Sequence, residues 1–273
     1  MQKFSRIFCV LILLLSVATA AAFAQGETAK ETAASATAYN DERPANFVFL
    51  LDVSGSMVSA RTQVKAADGS NVTLFEALRQ ALEQIVKDDR LVSPKSKVAF
   101  ITFGTAITEK NDWPSSLATS EERKSLLTKI ASAAELQADK HGDTYMAGGL
   151  EAAYARAEQF AKDSASCTST FIVMLTDGWD EPPANASYKV ADEAAKFIAK
   201  QNELKQKLGV NTWQVRVVGL QRLPDKKAGT TTAAEVAKLL GGSFLDVSKE
   251  QSGTIADRIY AALKQTIAEL QGE

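Results

Sequence analysis

Two unbroken apolar runs, Phe47-Val48-Phe49-Leu50-Leu51 and Phe171-Ile172-Val173-Met174-Leu175, constrain this chain more than any other feature of its sequence. A strand with one face in water alternates apolar and polar side chains, whereas a strand apolar at every position is covered on both faces. Covering both faces takes helices above and below a sheet, and the rest of the chain supplies them. Helical segments are expected at Leu74 to Val86, Glu121 to Ala133, Met146 to Lys162, Ser187 to Leu208, Ala233 to Leu240 and Gln251 to Leu270. In the first, Leu74, Ala77, Leu78, Ala81, Leu82 and Ile85 form one stripe; in the last, Ile255, Ile259, Ala262, Leu263, Thr266 and Ile267 do. Further strands are expected at Lys97 to Phe103, Asn211 to Leu220 and Ser243 to Val247. A shorter, more polar one, Ile107 to Asp112, stops at Trp113-Pro114 and suits a sheet edge. The alternation predicts an α/β doubly wound fold: a mostly parallel six-stranded sheet with one antiparallel edge strand and helices on both faces.

Local signals add detail. Thr73, with Glu76 three residues on, is placed to cap the first helix, and Ser120 is the expected cap of the second. Val58 to Thr73 is polar around Asp68-Gly69-Ser70-Asn71, which marks a small hairpin or lid.

The first residues belong to something else. Lys3 and Arg6 precede an apolar stretch from Ile7 to about Ala24, and Ala22-Phe23-Ala24 before Gln25 has the small-x-small form of a cleavage site. Residues 1–24 are expected to be a signal peptide, 25–44 a flexible lead poor in apolar side chains, and 45–273 the folded domain. The rival is an uncleaved anchor, the one case in which membrane association is expected. Either outcome puts the domain in the periplasm or the exterior. The formal charge of −2 becomes more acidic once Lys3 and Arg6 leave, which argues against a nucleic-acid partner. Of the two cysteines only Cys167 follows the leader, so no disulfide can form within the mature chain. Cys167 is expected to pack as a small hydrophobe.

Chemistry concentrates at the strand ends. Asp52, Ser54 and Ser56 follow the first apolar run at alternate positions, so an extended backbone turns all three oxygens one way, and Gly55 allows a tight turn. Leu175-Thr176-Asp177-Gly178 repeats the pattern: an apolar strand delivering a carboxylate at its carboxyl end, followed by glycine. Open α/β sheets bind ligands at that rim. Thr144, entering the helix at Met146, carries a hydroxyl suited to the same point. Oxygen donors of this kind suit Mg²⁺, Mn²⁺ or Ca²⁺ rather than zinc.

The order of these pieces resembles the metal-ion-dependent adhesion site of the von Willebrand factor A family: D-x-S-x-S after the first strand, a threonine before a mid-chain helix, and T-D-G after the fourth strand. The resemblance extends from about Asn46 to Leu270. It implies that Ser54 and Ser56 ligate the cation directly, that Thr144 joins them in the ligand-bound form, and that Asp52 and Asp177 act directly or through water. It further implies a position left open for an Asp or Glu carboxylate of a protein partner. Asp143, Tyr145, Trp179 and Asp180 then form a candidate contact rim. For Trp179, an exposed anchor and packing beneath the loop are equal alternatives.

This reading makes the chain a binding module with no catalytic residues. Two rivals stand beside it, a metal-dependent phosphatase or esterase and an envelope scaffold with a structural metal. Against hydrolysis, Ser54 occupies the place where haloacid-dehalogenase-like phosphatases want a second aspartate. Val53-Ser54-Gly55 lacks the glycine that precedes a nucleophile-elbow serine, and Gly104-Thr105 lacks a phosphate-loop lysine. His141 is the one histidine, expected in a loop near the site.

Overall fold

The computed structural model describes residues 44–88, 92–132, 142–163, 169–186, 188–208, 212–220, 229–249 and 253–271. The expected signal peptide and nearly all of the lead, together with His141 and Cys167, lie outside the described residues. The central sheet contains β1 (Ala45–Asp52), β4 (Val98–Phe103), β5 (Ile107–Glu109), β6 (Ser169–Thr176), β8 (Thr212–Gly219) and β10 (Ser243–Asp246). Two short ribbons lie outside it, β2 (Val64–Lys65) with β3 (Asn71–Val72), and β7 (Trp179–Asp180) with β9 (Thr231–Thr232). The helices are α1 (Leu74–Lys87), α2 (Ser120–Ala131), α3 (Met146–Asp163), α4 (Val190–Leu208), α5 (Ala233–Leu239) and α6 (Ile255–Gln271).

Across the sheet the order is β10, β8, β6, β1, β4, β5, parallel throughout except for β5, which runs against β4. The six-stranded, doubly wound architecture is the one expected. Its antiparallel edge is shorter, ending at Glu109 rather than Asp112. From β1 the chain goes to β4 on one side and later returns to β6 on the other. The carboxyl end of β1 therefore faces the crevice where the connections diverge.

Alternation along β1 divides its side chains between two cores. Phe47, Phe49 and Leu51 pack with Leu78 of α1, Leu126 of α2 and Ile259 of α6, whereas Val48 and Leu50 pack with Leu150 of α3, Phe197 of α4 and Val236 of α5. Every residue of β1 is buried, which is why the run has no polar alternation. On the first face the rings of Phe47, Phe49, Phe100, Phe171 and Trp113 form a chain with neighbouring centroids 5.2–6.2 Å apart. Each fully buried large side chain contributes about 2 kcal/mol or more. The apolar stripe expected on the final helix lies buried in the same core.

Thr73 caps α1 by accepting from Glu76 N. The second helix starts one residue earlier than expected, with Thr119 as its cap and Glu122 completing the reciprocal pair, so Ser120 is the first helical residue. Asp68-Gly69-Ser70 turns the β2–β3 hairpin, Gly69 taking φ 81° and Asp68 accepting from Ser70 N and Oγ. A left-handed φ at the tip of a tight turn is the conformation glycine adopts without strain.

Candidate metal centre

Four loop ends meet at the carboxyl edge of the sheet. Asp52 is the last residue of β1, and Asp177 follows directly on β6, the strand paired beside it. Asp52 Oδ1 accepts from Ser54 N at 2.8 Å, and Oδ2 accepts from Thr176 Oγ1 at 2.6 Å. Ser56 Oγ donates to Asp177 Oδ1 at 2.8 Å and lies 3.1 Å from Ser54 Oγ. Asp52, Ser54 and Asp177 are buried, and Ser56 is exposed at the mouth.

Strand alternation is not what brings Ser56 in. The strand ends at Asp52, and Gly55–Val58 is a turn of 3₁₀ helix held by Met57 N donating to Ser54 O. A 3₁₀ turn brings the chain back on itself within three residues, and that folds Ser56 over toward Asp177.

Thr144 reaches the same place from the other side. It exchanges two backbone hydrogen bonds with Glu181, each 2.9 Å. A β-carbon built on Gly178 would lie 3.6 Å from Thr144 Oγ1, so the hydroxyl rests against the turn that carries Asp177. The remaining stitches are backbone. Gly55 N donates to Gly142 O, Tyr145 N to Gly104 O, and Val53 N to Phe103 O. A β-carbon on Gly104 would come within 3.4–3.7 Å of Val53 Cγ2, Asp143 O and Ser54 N, so this turn packs directly against both donor loops.

Electrostatics at this edge disfavours two negative charges. Burial pushes the Asp52 carboxyl up, opposed by hydrogen bonds from the Ser54 and Thr176 side chains and from the backbone of Ser54 and Asp177. Asp177 is pushed up to about 7, by burial first and then by the charge of Asp52, with the Ser56 hydroxyl opposing. Two carboxylates held together against that resistance, with hydroxyl oxygens turned toward them, make a donor set that fits a hard divalent cation. Among the described residues no group of three or more His, Cys, Asp or Glu could hold a metal, so a cation here draws on the hydroxyls as well.

The candidate rim is placed unevenly. Asp143 is exposed, and Tyr145 is half-buried with its ring centroid 6.2 Å from that of Tyr188. Trp179 is half-buried, with its indole N–H enclosed and without a hydrogen-bond partner among the described residues. Asp180 is not a rim residue. It is fully buried, accepting from Met146 N at 3.2 Å and Val190 N at 2.7 Å, so one carboxylate holds the first residues of both α3 and α4. Burial raises its pKa, against the two backbone donors.

Two supporting contacts had no role in the sequence reading. Thr176 donates to Asp52 and accepts from Gly178 N at 3.1 Å, so its hydroxyl links the two aspartate loops. Its place in Leu175-Thr176-Asp177-Gly178 was the available signal. Glu181, beside Asp180, reads in the sequence as part of an acidic rim; it pairs with Thr144 through backbone atoms, which its residue type does not announce.

Comparison with known proteins bears on fold and family. The sequence profile of the von Willebrand factor type A domain matches residues 46–218. Among curated proteins nothing matches. Similar solved structures include the PilB minor pilin of Streptococcus sanguinis, at 16% identity and a TM-score of 0.53, covering 84% of this chain and 61% of that one. The pilus adhesin SpaC of Lactobacillus rhamnosus GG matches at 14% and 0.54, covering 85% and 31%. A von Willebrand factor type A protein of Catenulispora acidiphila matches at 15% and 0.50, covering 84% and 43%. This chain thus spans less than two thirds of each of these relatives. At such identities the likeness is one of fold.

Proposed function

This chain belongs to the von Willebrand factor type A domain family, and on that premise we propose that it is a divalent-cation-dependent protein-binding module acting outside the cytoplasm, rather than an enzyme. One observation carries the reading: neighbouring parallel strands deliver two buried carboxylates, Asp52 and Asp177, to a point faced by the Ser54 and Ser56 hydroxyls. Asp52, Ser54, Ser56, Thr144 and Asp177 would hold Mg²⁺, or Mn²⁺ or Ca²⁺ in its place. When bound, the cation supplies an electrophilic position for an Asp or Glu carboxylate of a partner protein.

The chain's own groups prepare that position. Ser54, Ser56 and Thr144 offer neutral oxygens, which orient without cancelling charge. Asp52 and Asp177 bring the only formal charges of the five, and their mutual repulsion is relieved when a cation binds. Thr176 and the Ser54 amide fix the rotamer of Asp52, so the donors are oriented in advance. Export is supported by the leader-like pattern of Lys3, Arg6 and the apolar stretch after them. Among the described residues no helix is long and apolar enough to cross a membrane.

The test uses the full mature chain. Calorimetry and thermal melting should show Mg²⁺ binding that raises the melting temperature in wild type and is weakened in Ser56→Ala. A short peptide bearing Asp or Glu should be retained in Mg²⁺ and released by chelator. A folded protein that shows no Mg²⁺-dependent change in either measurement would refute the reading.

A further inference from the structure

We propose that the β2–β3 hairpin is a second contact surface beside the cation position, and that it selects partners whose metal-completing carboxylate lies within a run of further acidic residues. The inference rests on the function proposed above and adds to it the chemistry of the flanking partner segment.

Placement comes first. The hairpin begins at Val64, and the 3₁₀ turn Ala60–Thr62 that leads into it is bonded to Ser56, the exposed member of the donor set. Thr62 Oγ1 donates to Ser56 O at 2.6 Å and to Ser59 O at 3.0 Å, while Ser59 Oγ accepts from Arg61 N at 3.2 Å. The base of the ribbon is thus built onto the same turn that presents Ser56.

Order comes second. Val64 pairs with Val72 and Lys65 with Asn71 in antiparallel register. Val58, Val64 and Val72 pack on the aromatic core beneath. The turn closes with Ala66 N donating to Ser70 O and Gly69 N to Ala66 O. With the ribbon's inner side docked, Lys65 and Asn71 of the ribbon and Arg61 and Gln63 of the turn leading into it are exposed to solvent. A two-stranded ribbon outside the central sheet adds no pairing to that sheet, so its outer face is free to serve recognition.

Charge decides the occupant. From Ser56 to Thr73 the charged residues are Arg61, Lys65 and Asp68, a net excess of one positive charge; the Ser70 amide and hydroxyl hold Asp68 ionised at the turn, where Lys65 Nζ donates to Gly69 O at 3.2 Å, and Arg61 lies nearest Ser56 in the chain. On the far side of the donor set stand the exposed Asp143 and the half-buried Glu181. The hairpin side therefore carries a net positive charge and the other side a negative one. A carboxylate-bearing segment is drawn across the hairpin, and like charge repels it from the opposite side.

The experiment compares two probes, a hexaglutamate peptide and N-acetylglutamate amide, on full-length mature protein with Mg²⁺ and with chelator. The variants are Arg61→Glu, Lys65→Glu and the double substitution, with melting temperature and Mg²⁺ affinity as controls. Wild type should bind hexaglutamate at least about tenfold tighter than the single amino-acid probe, an advantage that fades with added salt. The double reversal should remove about tenfold of hexaglutamate affinity while leaving the small probe, Mg²⁺ binding and the melt unchanged. Unchanged hexaglutamate affinity in the double variant, or an equal loss for both probes, overturns the hairpin assignment. Binding that survives chelator yet is lost on charge reversal keeps the hairpin and refutes the cation reading. No binding of either probe refutes both.

Discussion

Asp180 allows the assembly of this edge to be tested quantitatively, because one buried carboxylate accepts from Met146 N at 3.2 Å and from Val190 N at 2.7 Å. Replacing it with alanine leaves both amides without that acceptor. Met146 N keeps a bond to Thr144 O at 3.1 Å, so its loss is partial, about 1 kcal/mol. Val190 N loses the shorter, charge-assisted bond at a buried helix start, about 2–3 kcal/mol. Relief of a charge that burial already disfavours offsets part of this loss. The net expectation is a loss of about 2–3 kcal/mol for Asp180→Ala, or roughly 5–10 °C in melting temperature for a domain of this size. Asp180→Asn keeps one acceptor oxygen and should lose about half as much. Urea unfolding followed by circular dichroism, with m-values compared, measures both. An alanine variant melting within about 2 °C of wild type, or an asparagine variant less stable than the alanine one, would refute the double-cap account.

Other perturbations probe the same edge and the packing behind it. Ser56→Ala, at an exposed position, should change stability by less than about 1 kcal/mol yet weaken Mg²⁺ binding about tenfold or more by calorimetry. Without metal, the raised pKa of Asp177 means the folded state holds a proton that the unfolded state releases near pH 4; the contribution of this group to stability is greatest below that pH and is lost as pH rises toward 7, which a comparison with Asp177→Asn isolates. Saturating Mg²⁺ should flatten or reverse this slope in urea titrations at fixed pH, and an unchanged slope would count against the shared site. Gly242→Ala places a β-carbon 2.0 Å from Val215 O, so it should destabilise by about 3 kcal/mol or more; a wild-type melt would show that the loop relaxes freely.

What the sequence disclosed depended on how local each cause was. The apolar runs at Phe47 and Phe171 announced central strands because burial on both faces removes alternation. Asp68-Gly69 announced a hairpin because its turn needs φ above zero at glycine. Asp52, Ser54, Ser56, Thr144 and Asp177 could be proposed together because each occurs in a short motif at an element end, although Ser56 arrives through a 3₁₀ turn that strand periodicity does not encode. The cap at Thr119 was legible in Thr119-x-x-Glu122, the box pattern, and the choice of Ser120 overlooked it. Asp180 was not legible. Its partners are backbone amides at residues 146 and 190, and a backbone donor has no residue type to betray it. Two-residue ribbons such as β7 with β9 are too short to leave any periodicity.

The paired backbone bonds between Thr144 and Glu181 give the edge a mechanical character. Because Glu181 follows Asp180, the threonine loop is clamped to a residue whose neighbour grips the starts of α3 and α4. The two helices held in this way pack on one face of the sheet, whereas α6 belongs to the core on the opposite face. The edge is thus tied to one layer of the domain, and a single buried carboxylate makes the tie.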